Sequence, residues 1–175
     1  FTDPPALRAW AQALGELGGP EATAGLKSIL ARSTADQPTD SDTLAIPTVL
    51  RALEKAQAPD LPEILDVYLA SHDGAVLRSA LDAYKPSPSR KRPWTPIIGA
   101  YAGMAPVDDA ETKVSILDHL EPWLSESEAQ DALHAALNDR LRNVRIAAIR
   151  LLRKAGAAGA PQSAGESKTR LEPNG

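Results

Sequence analysis

The sequence offers three histidines, His72, His119 and His134, as candidate metal ligands or proton carriers. They stand far apart and fall in no metal-ligand spacing. Asp131 and His134 share one helix face at a separation of three, but two ligands do not make a site. His119-Leu120-Glu121 does not match the zinc-protease motif. No Gly-x-Ser-x-Gly, phosphate loop or dinucleotide fingerprint occurs. Serines and carboxylates are plentiful, yet nothing sets a nucleophile beside a base. With no cysteine there is no disulfide framework and no thiolate chemistry. The expectation is a chain with no metal, no cofactor and no catalytic residue of its own.

Two groupings do carry a physical signal. Arg90, Lys91 and Arg92 lie together in a Pro-rich loop beside Trp94, a set that would grip a phosphate or an acidic peptide. Its plainer reading is a solvated loop. The second grouping recurs. Asp3 precedes Arg8, Asp73 precedes Arg78 and Asp108 precedes Lys113, each by five residues, while Asp139 precedes Arg145 by six. Arg51 holds the same place in a further segment, with Ile46 where the aspartate would be. An exposed ion pair contributes only about 0–1 kcal/mol, whereas loss of an N-cap costs about 1 kcal/mol. The aspartates are therefore read mainly as helix caps, in preference to a catalytic Asp/Arg ladder.

The elements that would position these residues are helical. Apolar residues make up 43% of the 175, mostly Ala and Leu, with only 4% aromatics. Such Ala- and Leu-rich periodic segments favour helices over strands. Fifteen prolines and eleven glycines suit many short helices divided by turns. Helices are expected from Asp3-Pro4-Pro5 to Gly18-Gly19, then at about 21–32, 44–56, 75–84 and 94–104. Asp60-Leu61-Pro62-Glu63 opens another, Asp108 with Glu111 caps the next, and Ser125-Glu126-Ser127-Glu128 is a capping box for the eighth. The ninth follows Asn138-Asp139, buries Val144, Ala148, Ile149 and Leu152, and stops at Gly156. Residues 33–43 and 86–93 read as loops. The expected division is a helical domain over 1–156 and a flexible tail or linker over 157–175. Both ends look cut from something longer.

The basic positions recur on average about 34 residues apart, a solenoid period with two helices per unit. Asp73-Gly74-Ala75-Val76-Leu77-Arg78 and Asp139 to Ile149 resemble a HEAT-like repeat, and Leu14-Gly15-Glu16-Leu17-Gly18 resembles its helix-ending segment. The tetratricopeptide pattern is not visible. The resemblance implies an all-α fold, a right-handed α-solenoid of about nine helices, in which acidic and basic residues stitch neighbouring turns together. Its function would be protein or peptide binding. The closing helix and the Gly/Pro/Ser-rich residues after it also resemble the region preceding the cyclophilin-type domain of bacterial multidomain peptidyl-prolyl isomerases. That implies an adjacent catalytic domain of the same parent chain as one partner. The alternative is a HEAT-like nucleic-acid-binding or DNA-repair module, which a net charge of −4 disfavours. No apolar run is long enough to span a membrane, and cytoplasm and periplasm are both compatible with the absence of cysteine.

Overall fold

A computed structural model of the chain describes residues 3–33, 40–85 and 91–159. These form nine α-helices and one 3-10 turn: α1 Pro4–Leu17, α2 Gly19–Ser33, α3 Asp40–Lys55, α4 Leu61–Tyr68, α5 Gly74–Ala83, α6 Thr95–Gly103, α7 Ala110–Asp118, α8 Ser127–Ala136 and α9 Arg142–Gly159, with the turn at Glu121–Trp123. Among the described residues there is no strand, so the protein is all-α.

Local chemistry explains the best-defined ends. The Asp3 carboxylate accepts from the Ala6 N–H at 3.1 Å, and prolines fill the first turn of α1, where their missing N–H has no helical partner anyway. Asp73 accepts from the N–H groups of Ala75 and Val76 at 2.9 and 3.0 Å. Gly18 and Gly19 break α1 from α2 with φ of 64° and 82°, a region open to glycine.

Several expected boundaries move. Residues 40–43 belong to α3 rather than to a loop. Asp42 joins the first turn of α3, where acidic groups favour the helix dipole, and Arg32 of α2 donates to it at 3.1 Å. Asp60 does not cap α4 with its side chain, because its carboxylate pairs with Lys27 of α2. The residue before α8 is Glu126, and no side chain caps that helix, so the expected capping box does not form. α9 continues past Gly156 to Gly159. A Cβ at Gly156 would meet nothing within 4 Å. Gly156→Ala should therefore stabilise the protein by roughly 0.5–1 kcal/mol in a thermal or urea unfolding series.

The end of α3 has no glycine signal. Ala58 N–H donates to Leu53 O at 3.1 Å and Gln57 N–H to Glu54 O at 3.0 Å, the two bonds of a Schellman motif. Gln57 occupies its left-handed position with φ 53°. Gln57→Gly should remove that strain and raise unfolding free energy by up to about 1 kcal/mol. A destabilisation would show that the glutamine side chain supplies more than its backbone costs.

Packing follows an alternation. α1 lies against α3, α3 against α5, α5 against α7 and α7 against α9, while α2 and α4 flank α3 and α6 and α8 flank α7 and α9 respectively. Because the odd helices have neighbours on more than one side, α3 is buried over Ala45, Ile46, Val49, Leu50, Ala52 and Leu53. One hydrophobic cluster runs from Leu7 to Leu151, each fully buried Leu or Ile contributing about 1.5–3 kcal/mol. In α9 the buried face is Val144, Ala147, Ala148 and Leu151. Ile149, expected inside, is 41% exposed, because the helix is rotated to seat its alanines close against α7 and α8. No described helix is long and apolar enough to cross a membrane.

Candidate functional site

The recurring basic residues do not share one mode of pairing. Three of them reach forward to the next odd-numbered helix. Arg51 on α3 donates to Ser79 Oγ of α5 at 3.3 Å. Arg78 on α5 donates to Thr112 Oγ1 in the first turn of α7, with Asp109 Oδ2 3.6 Å away. Lys113 on α7 donates to Asp139 Oδ2, ahead of α9, at 3.1 Å. Arg8 on α1 is exposed, and no such bond holds it among the described residues. Arg145 turns back onto its own segment, donating to the carbonyls of Asp139 and Arg140 at 2.8 and 2.9 Å.

The aspartate ahead of α7 is Asp109, not Asp108. Asp109 Oδ1 accepts from the Thr112 N–H at 2.9 Å and Oδ2 from the Thr112 hydroxyl at 2.6 Å. Asp108 points outward to Arg140 Nε at 2.9 Å. The five-residue spacing to Lys113 pointed to Asp108, whereas Asp109, four residues before it, is the one with a threonine three residues on. That hydroxyl holds the Asp109 carboxyl below its ordinary value, helped by the Thr112 N–H and the Arg78 charge against a smaller opposing effect of burial.

Lys113 and Asp139 form the most enclosed charged pair among the described residues, with side chains 0% and 8% exposed. Lys113 Nζ also donates to Ala105 O at 3.2 Å. Asp139 accepts from the Leu141 N–H at 2.8 Å and from the Tyr101 hydroxyl of α6 at 3.0 Å. Burial pushes the Asp139 carboxyl upward, but the Leu141 N–H, Lys113 and Tyr101 together outweigh it and leave it below the ordinary value. Burial, and next the bond to Asp139, push Tyr101 up, so it stays a protonated donor. Asp139 differs from the true caps. The first helical bond of α9 runs from Arg145 N–H to Leu141 O, which places Asp139 two residues outside the helix. Every polar atom of this cluster has a protein partner, and the cluster ties α6, α7 and the start of α9 together without an open coordination or reaction position.

Of the loop residues proposed for anion binding, Arg90 lies outside the described residues and Lys91 is exposed. Arg92 Nη1 and Trp94 Nε1 both donate to Glu128 of α8 at 2.6 Å, and the Trp94 ring lies 6.5 Å from that of Trp123. Glu128 thus engages two of the groups that the sequence offered to a ligand. His72 and His134 are exposed, and His119 Nδ1 is 2.8 Å from Ser115 O. Among the described residues no three His, Cys, Asp or Glu side chains converge on one point.

Among several open grooves, one between α7 and α9 of about 530 Å³ is lined by Ala110, Glu111, Val114, Asn143, Ile146 and Arg150. Its floor is apolar and Ile146 is 50% exposed. Sequence reasoning passed over Asn143 and Ile146, since an isoleucine at helical spacing reads as core. Thr112 and Tyr101 were also missed. The Asp-x-x-Thr spacing could have marked Thr112, but no local signal marks a tyrosine that bonds across 38 residues.

Fold and site together define an all-helical protein whose odd-numbered helices are bridged by basic side chains, with a groove at its α7–α9 side. No protein-family model matches the chain, and neither the curated proteins nor the solved structures contain a significant match to it.

Proposed function

We propose that the chain is a non-catalytic helical-repeat scaffold, an α-solenoid of HEAT-like hairpins, that binds a protein or peptide. The observation carrying this reading is the forward bridge repeated from α3 to α5, α5 to α7 and α7 to the start of α9. Repetition of one contact between successive like elements is how a stacked array holds itself together. Such an array stabilises itself through nearest neighbours and leaves a broad surface free for contact. The charged groups drawn together inside it satisfy one another, so they hold helices and do not present reactive atoms. The tie to a cyclophilin-type isomerase parent rests on the resemblance of the closing helix and the residues after it.

The test is direct. Labelled peptides titrated against the chain should give saturable anisotropy changes, and a peptidyl-prolyl substrate should isomerise at its uncatalysed rate. Turnover of that substrate by this chain, or a failure of every peptide to bind, would overturn the reading.

A further inference from the structure

α9 contains no acidic residue between Arg142 and Gly159, and its five basic side chains divide into two sets. Arg150 pairs with Asp118, Lys154 with Glu121, and Arg145 bonds backbone carbonyls. Arg142 and Arg153 are exposed and have no partner among the described residues. Between them on the same helix face stand Ile146 and Ile149, 50% and 41% exposed. The order Arg142, Ile146, Ile149, Arg153 follows the i, i+4, i+7, i+11 spacing of a single stripe. This stripe borders the α7–α9 groove, to which Val114 and Ala110 add further apolar surface.

The geometry points to this stripe and groove as the docking site for an acidic amphipathic helix of a partner protein. That helix would carry apolar residues between two carboxylate clusters about 16 Å apart, the rise over eleven helical residues. The inference rests on the scaffold reading and names the partner's chemistry. Charge complementarity selects the sign, because both unpaired ends of the stripe are cationic and α9 supplies no carboxylate of its own; the one carboxylate lining the groove, Glu111, stands on α7 and not on the stripe. Backbone satisfaction selects the helix. An extended segment would lay a run of N–H and C=O groups over two isoleucines, with the side chains of Asn143, Glu111 and Arg150 too few and too scattered to pair them all, whereas a helix satisfies its own backbone. A nucleic-acid duplex fits poorly, since two arginines separated by isoleucines provide few phosphate contacts.

The probe is a fluorescein-labelled synthetic 18-residue helix with leucines on one face and glutamates eleven residues apart at its flanks. A second version replaces the glutamates with lysines, and a labelled DNA duplex is the third arm. The 175-residue chain should bind the Glu-flanked helix at least about tenfold more tightly than the Lys-flanked one. Ile146→Asp combined with Ile149→Asp should weaken binding about tenfold or more, with a single cooperative thermal melt retained, since both side chains are only partly buried. Arg142→Glu combined with Arg153→Glu should abolish the preference for the acidic helix. Equal binding of the two peptides, tighter binding of the duplex, or peptide binding indifferent to the isoleucine variants would overturn the site. The last of these leaves the scaffold reading standing. Binding of neither peptide overturns this inference, and the scaffold reading falls with it only if wider peptide sets also fail. Self-association of the chain that Ile146→Asp abolishes would assign the stripe to a second copy and sink the proposal.

Discussion

Lys113→Met should lower the unfolding free energy by about 3–5 kcal/mol, measured by urea denaturation at neutral pH. The reason is the carboxylate left behind. Asp139 would remain enclosed with the Tyr101 hydroxyl and the Leu141 N–H but with no ion-pair partner on its carboxylate. The double variant with Asp139→Leu should be less damaged than Lys113→Met alone, because a pair replaced by apolar groups leaves no buried charge. A cost below about 1 kcal/mol for the single change would show that Asp139 reaches water, and that the pair behaves like an exposed one.

The same pair fixes a pH signature. Asp139 and Asp109 each titrate below the ordinary carboxylate value in the folded chain. Between the folded and unfolded values the unfolded chain binds more protons, so stability rises with pH there. Their contribution is complete above the unfolded value near ~3.9 and is lost as pH falls through the folded values. Lys113→Met removes two of the influences that hold the Asp139 carboxyl down, its hydrogen bond and its charge, and leaves the opposing effect of burial in place. The carboxyl of the variant therefore titrates higher than in the native protein, and protonation relieves part of its cost. The gap between the native protein and Lys113→Met should therefore narrow from pH 7 towards pH 4. A gap that stays constant would mean that the lysine acts through packing alone.

Gly15→Ala should destabilise the protein. A Cβ at Gly15 would lie 2.9 Å from both Cα and Cβ of Ala52. Backbone cannot step aside as a flexible side-chain end can, so α1 and α3 would have to separate. Overpacking of this kind costs about 1–3 kcal/mol. That outweighs the roughly 0.5–1 kcal/mol a helix gains when Gly becomes Ala. Gly156→Ala makes the same chemical change where nothing lies nearby, so the two variants should move the unfolding midpoint in opposite directions. Adding Ala52→Gly should recover part of the Gly15→Ala loss, since it removes one of the two contacts. If Gly15→Ala stabilised the protein, the close approach of α1 and α3 would be wrong.

The local sequence determined whatever depends on bonds within about four residues. It gave the helical class, the capping of α1 by Asp3 and of α5 by Asp73, and the break at Gly18 and Gly19. It also marked Arg51, Arg78 and Lys113 as recurring positions, although not whom they meet. The Schellman end of α3 escaped because glutamine, unlike glycine, does not announce a left-handed residue.

Tertiary structure decided the partners. Each residue of a helix turns the side chain by about 100°, so a one-residue ambiguity separates Asp109, enclosed against Thr112 and Arg78, from Asp108 on the surface. Rotation of α9 in its seat likewise left Ile149 outside and Ala147 within. Asp139 reads in sequence as one more cap, yet it serves Lys113 and Tyr101, which lie 26 and 38 residues away. Spacing along a chain records which face a residue shares with its near neighbours, whereas the helix opposite that face is chosen only when the apolar surfaces close.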